Sequence, residues 1–273
     1  MNITNDIVTS YIETLYKNDN PRLRELRAFA EERHVPVILK DTEGLLLNIL
    51  RIKKASHVLE IGSAVGYSAC CFADSCGCKV ITVESDKEAY DAAKSNISEL
   101  GFSDKVQVRF GDARDVLLQM AAEKETFDVV FIDAAKSHYR EFWDLALPLC
   151  SQDALVICDN VLMKGMTVSD EYDPGRRYKT SIRKMREFIK YITHLEYADT
   201  CVLPVGDGVS VSVIDKDIYD GWKISSKQTL PDGDDHDQQE TGKVEANAAN
   251  KENGTFSSCG RFGKTENSCG LWS

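Results

Sequence analysis

At 273 residues, with 42% hydrophobic and 28% charged side chains, the chain has material for one substantial core. No apolar run approaches the roughly 18–20 residues that span a bilayer, and the opening MNITNDIVTS carries neither the basic nor the apolar region of an export signal, so a cytoplasmic protein without membrane contact is expected. A net charge of −11 excludes a protein that coats nucleic acid indiscriminately, while leaving room for a local basic face.

The first 55 residues read as helical. Apolar residues recur at three- and four-residue spacing over 3–16 and 23–30, with Pro21 opening the second stretch, and again over 38–52 after the break at Pro36. From His57 the pattern becomes alternating strands and helices. HVLEI (57–61), KVITVE (79–84), VQVRF (106–110), FDVVFID (127–133) and ALVICDN (154–160) are the strands. Between them run helical segments, one ending at Gly101 and one opening at the cap Asp112. Cys70, Cys71, Cys76 and Cys78 crowd together without paired-CxxC spacing or a nearby histidine, and read as buried small residues rather than a zinc site.

Five strands alternating with helices predict an α/β fold built on a doubly wound, mostly parallel sheet, with ligands at the carboxyl ends of the strands. A loop (161–175), a basic helix (about 176–193) and two strands near 195–203 and 208–214 follow, the strands forming an antiparallel hairpin at one sheet edge. One folded domain is expected over 1–222. Beyond it, six large apolar residues are scattered through 225–273, too few to offset the entropy of ordering, so 223–273 reads as a disordered polar tail that includes Cys259 and Cys269.

Three constellations carry chemistry. The glycine turn Glu60-Ile61-Gly62-Ser63-Ala64-Val65-Gly66-Tyr67-Ser68 follows the first core strand, and its GxxxG spacing suits a ligand without a pyrophosphate. Glu84, at the end of the second strand, is placed to accept hydrogen bonds from ribose hydroxyls, and GDA (111–113) falls where an adenine edge would lie. Asp133 ends the fourth strand and Asp159-Asn160 the fifth. Parallel strands lie about 4.8 Å apart, so three oxygen-bearing side chains converge on one point, a hard donor set suited to Mg²⁺.

VLEIGSAVGYSA, VE at 83–84, GDA, FIDAAKSHY and ICDNVL together resemble the class I catechol and caffeoyl-CoA type O-methyltransferases, over about residues 38–214. The resemblance implies a Rossmann-like methyltransferase fold, S-adenosyl-L-methionine as methyl donor, Mg²⁺, and commonly a homodimer. By position it implies Asp133, Asp159 and Asn160 as metal ligands, and Ile38, Gly62, Ser68, Glu84, Ala113 and Asp133 at the donor. Lys136 matches the lysine proposed as catalytic base, acting beside Asp133.

AEERHVPVI (30–38), DNVLMKGMTVSD (159–170), GRR (175–177) and LPVGDGVSVS (203–212) further resemble the subgroup that methylates 5-hydroxyuridine at the tRNA wobble base. That likeness, with the basic excess from 164 to 190, makes tRNA the expected partner through Lys164, Arg176, Arg177, Lys179 and Arg183. The alternative acceptor is a small catechol or phenylpropanoid-CoA ester, since a catechol and 5-hydroxyuridine both offer two adjacent oxygens. A nicotinamide-dependent dehydrogenase and a non-catalytic RNA-binding module are disfavoured.

Overall fold

The computed structural model describes residues 6–228 apart from 174 and 176. Three helices lead the chain: α1 (Asp6–Leu15), α2 (Pro21–Glu32) and α3 (Lys40–Lys53). Asn20 caps α2 by accepting from the Arg22 amide, and Pro21 sits at its first position, where a missing N–H costs nothing. Then β1 (His57–Ile61), β2 (Lys79–Glu84), β3 (Val106–Phe110), β4 (Phe127–Ile132) and β5 (Cys150–Cys158) alternate with α4 (Tyr67–Cys76), α5 (Lys87–Leu100), α6 (Ala113–Ala122) and α7 (Tyr139–Ala146). The chain continues through α8 (Lys179–Ile192), β6 (Ala198–Leu203), β7 (Val209–Ile214) and α9 (Lys216–Gln228).

The seven strands form one sheet in the order β3-β2-β1-β4-β5-β7-β6. β1 to β5 run parallel, while β7 is antiparallel to both β5 and β6, so the expected hairpin closes one edge. Side chains alternate between two cores, as the two-residue period of a strand requires. Val58, Val129, Phe131 and Ile157 face Leu46, Leu50 and Phe72 from α3 and α4. Leu59, Val130, Ile132 and Val156 face Trp143, Met185 and Phe188 from α7 and α8. Strand order reverses between β1 and β4, which places the ligand crevice at their carboxyl ends.

Several boundaries differ from expectation, and three of them have a visible physical cause. β5 begins at Cys150 instead of 154, because the polar stretch Ser151 to Asp153 passes through a register irregularity opposite Phe127 and Val129. α8 begins at Lys179, since the Asp173 carboxylate accepts from the Arg177 and Tyr178 amides, both at 3.2 Å, and holds the preceding turn. α9 runs through the expected domain boundary at 222. Tyr219 is buried there and stacks edge-on against Tyr197, with ring centroids 5.2 Å apart, so this segment docks although its composition is polar. The remainder of the expected tail, with Cys259 and Cys269, lies outside the described residues. Cys70, Cys71 and Cys78 are buried, and Cys76 is partly exposed. Among the described residues no helix is long and apolar enough to cross a membrane.

Candidate active site

The ends of β1, β4 and β5 meet at the crevice, and the backbone makes each junction explicit. The Asp133 amide donates to the Ile61 carbonyl at 3.0 Å, and the Asp159 amide to the Ile132 carbonyl at 3.0 Å. The parallel pairing is thus carried one residue past the strands, setting Asp133 and Asp159 side by side. Gly62 turns away immediately after β1 with φ +99°. A Cβ there would lie 2.1 Å from the Asp133 carbonyl oxygen, so only glycine lets the turn close against β4.

Glu84 organises that turn. One carboxylate oxygen accepts from the Ser63 and Ala64 amides at 3.2 and 3.0 Å, the other from the Ser85 and Asp86 amides, both at 2.9 Å. Four backbone donors, two on each oxygen, hold the carboxylate in one orientation at the edge where a ribose would lie. Ser68 donates to Glu60 at 2.5 Å. Glu60 is completely buried and its second oxygen has no partner among the described residues; burial pushes its carboxyl up to about 7. Ala113 is buried as the first residue of α6, behind its cap Asp112.

A cavity of about 320 Å³ opens beside these strand ends. Asp133, Lys136, Asp159 and Asn160 line one side of it, the 36–39 segment a second, and Met163, Lys164, Met166 and Asp207 a third. The structure therefore brings Ile38, Asp133, Lys136, Asp159, Asn160 and Lys164 together, while Gly62, Ser68, Glu84 and Ala113 belong to the neighbouring strand ends. Lys136 Nζ donates to Asp133 Oδ1 at 3.0 Å from a short turn before α7.

Asp159 is 1% exposed and its backbone carbonyl is held by the Tyr139 hydroxyl at 2.9 Å. Burial, then repulsion from Asp133, raises its carboxyl well above the ordinary range, opposed by the Asn160 amide, which donates to Asp159 Oδ1 at 2.6 Å. Among the described residues no group of three or more His, Cys, Asp or Glu is arranged for a metal. The set here is two carboxylates and an amide. It fits a hard divalent cation: all donors are oxygen, and a buried carboxylate crowded by a second one is stabilised by positive charge between them.

Asp207 has no counterpart among the expected site residues. It projects from the β6–β7 turn, where the Val161 and Leu162 amides donate to the Gly208 and Asp207 carbonyls at 2.9 and 3.0 Å. Burial raises its carboxyl, offset by Lys164 and Lys136. An aspartate between two glycines in VGDGV was the available signal, indistinguishable by itself from an ordinary hairpin turn.

The expected tRNA-binding residues fare unevenly. Lys164 reaches the cavity from a left-handed backbone position, φ 56°. Arg177 and Lys179 are exposed, and Arg183 is exposed but paired with Glu187 at 2.8 Å. Arg186 pairs with Asp170 at 2.8 Å, and Lys184 donates to the Ser137 carbonyl at 3.1 Å. Arg176 lies outside the described residues. Arg183 and Arg186 are thus spent on neighbouring acids, while Arg177 and Lys179 stay exposed.

Comparison with known proteins places this geometry in context. The family model described as O-methyltransferase matches residues 13–214. A caffeoyl-CoA O-methyltransferase of Nicotiana tabacum is 28% identical over 222 residues, covering 77% of this chain and 91% of the tobacco enzyme. One from Zea mays is 30% identical over 220 residues, covering 76% and 82% respectively. Among solved structures, an O-methyltransferase from Bacillus cereus in complex with SAH superposes with a TM-score of 0.67 at 28% identity, over 76% of this chain and 97% of that one.

Proposed function

The chain belongs to the O-methyltransferase family, and from that premise we propose that it methylates one of two adjacent oxygens on a small aromatic acceptor, a catechol or a phenylpropanoid-CoA ester, using S-adenosylmethionine. The observation that carries the reading is the convergence of Asp133, Asp159 and Asn160 with Lys136 on one cavity beside the glycine turn. The names of the tobacco and maize relatives favour this acceptor class over the tRNA expected from the basic segment.

The donor brings a methyl group already activated on sulfonium, so the protein's work is orientation and removal of one proton. Gly62 and Glu84 shape and hold the donor turn, with Glu84 offering its carboxylate to the ribose. Asp133, Asp159 and Asn160 would hold Mg²⁺, which when bound acidifies an acceptor hydroxyl and fixes its direction. Lys136 stands beside Asp133 and, in its neutral amine form, is the group that takes the proton. Ile38, Met163 and Met166 give the cavity apolar walls suited to an aromatic ring and exclude water from the transfer path. Lys164, at the cavity's edge, supplies a cation for an acceptor bearing an anionic group. Ile7, Tyr11, Ile12 and Leu15 are exposed on α1 and supply apolar surface for a homodimer.

The test is methyl transfer to catechol and to caffeoyl-CoA, with and without EDTA. Metal-dependent methylation of either supports the proposal; near-normal turnover in EDTA removes the metal role, and failure on both acceptors removes the acceptor class. A second reading, the wobble 5-hydroxyuridine of tRNA, rests on Lys164 at the cavity with exposed Arg177 and Lys179 nearby. It predicts tRNA binding that weakens steeply with salt, and methylation of 5-hydroxyuridine-bearing tRNA.

A further inference from the structure

The 36–39 segment supplies four of the residues that line the cavity, yet it belongs to no helix or strand. Its ends are tied by the Val35 amide to the Ala30 carbonyl at 2.9 Å and the Glu43 amide to the Leu39 carbonyl at 2.8 Å. Between those ties, one hydrogen bond reaches its backbone among the described residues: Arg27 Nη2 donates to the Ile38 carbonyl at 2.7 Å.

Arg27 is 6% exposed on α2, an unusual place for a guanidinium. The same Nη2 donates to Glu43 Oε2 at 2.6 Å, and Glu43 is completely buried on α3. Arg27 Nε donates to the Tyr67 hydroxyl at 3.0 Å, and that hydroxyl donates to Glu43 Oε2 at 2.9 Å. Tyr16, just after α1, donates its hydroxyl to the other Glu43 oxygen. The guanidinium carbon lies 4.8 Å from the Tyr67 ring centroid and 5.3 Å from that of Tyr16.

Tyr67 is the first residue of α4, directly after the glycine turn. One buried cluster therefore joins the donor turn to the cavity wall. A buried ion pair gains little stability over a well-packed apolar pair, because desolvation cancels most of the attraction; what it fixes is geometry. The planar fork of arginine aims separate nitrogens, Nε at the hydroxyl and Nη2 at the carbonyl and the carboxylate, in fixed directions, whereas an ammonium presents its donors from a single point.

We propose that Arg27 is a positioning residue, which holds Ile38 and the 36–39 wall in register with the 62–66 turn and so sets the affinity of the donor site. This rests on the methyl-donor reading above. Arg27→Lys keeps the charge opposite Glu43 but loses the fork, and Tyr67→Phe keeps the ion pair but cuts the tie to the turn.

In the unliganded full chain, Arg27→Lys is expected to speed hydrogen exchange at amides 37–40 while leaving β1 and β4 protected. Its Kd for S-adenosylhomocysteine, by calorimetry, should rise about tenfold, a cost typical of displaced positioning. With caffeoyl-CoA as acceptor, KM for S-adenosylmethionine should rise alike and kcat change less than about threefold. Tyr67→Phe should show a smaller shift in the same direction, and decides the matter if Arg27→Lys does not fold. Unchanged exchange at 37–40 with unchanged Kd overturns the proposal, as does faster exchange spread evenly through the sheet. If the unmodified protein binds no S-adenosylhomocysteine, the donor reading fails, and the exchange pattern alone decides the role of Arg27.

Discussion

A single methyl group added at Gly62 would meet the Asp133 carbonyl oxygen at 2.1 Å, at a backbone φ that side chains avoid. Relief requires β1 and β4 to part at the site itself. Gly62→Ala should therefore cost about 2 kcal/mol or more in urea unfolding, and lower donor affinity along with stability. Asp159→Ala and Asp133→Ala act on chemistry: each should reduce turnover by on the order of 100-fold or more, several kcal/mol of lost charge stabilisation, with the fold retained by circular dichroism. Glu60 has the opposite sign to most carboxylates. Its folded value of about 7 lies above its ordinary 4.5, so the folded state holds the proton more tightly. The contribution to stability is present below about pH 4.5 and is lost as pH rises through 7, on the order of 3 kcal/mol across that window. Glu60→Gln, read by denaturation at pH 5 and 8, should flatten this dependence and gain stability at pH 8; an equal loss at both values would contradict it.

At the level of elements, the loop after β5 stores strain that its anchors withstand. Asn160, Met163 and Lys164 all carry positive φ, a conformation costing about 1 kcal/mol or more for each non-glycine residue. The Gly208 and Asp207 carbonyls hold the start of this loop, and a Cβ on Gly208 would strike Leu162 at 2.4 Å, so the β6–β7 turn and the loop after β5 are built as one unit. Of these only Asn160 is of a type that favours such a backbone; the positive φ of Met163 and Lys164 and the pairing with the turn were not readable from DNVLMKG. α9 was missed for a related reason. Its docking depends on Tyr197 and on Lys216, which donates to the Leu147 carbonyl at 3.0 Å, partners remote in sequence. Tyr219→Ala should cost about 3 kcal/mol in chemical denaturation, the range of a buried aromatic truncation. By contrast the parallel strands β1 to β4 were legible almost to the residue, because each is a short apolar run bounded by glycine or charge.

Across the whole molecule, one sheet serves two cores, with β1, β4 and β5 contributing alternate side chains to both. Neither core survives without the strands of the other. Residues 6–228 should therefore unfold in one transition in urea, with Trp143 fluorescence and mass-resolved thiol labelling of Cys71 sharing a midpoint; two midpoints would show that the faces are independent. The sequence by itself determined the period-two strands, the helix between each pair, the glycine turn and the three oxygen donors at strand ends, because these follow from local periodicity and from the chirality of crossover connections. Only the tertiary structure decided that Asp207 and the 36–39 segment share the cavity, that Arg186 of the basic segment is spent on Asp170, and that Arg27 is buried against Glu43. Those facts depend on which distant surfaces meet, and a contact between residues far apart in the chain leaves no periodic trace in it.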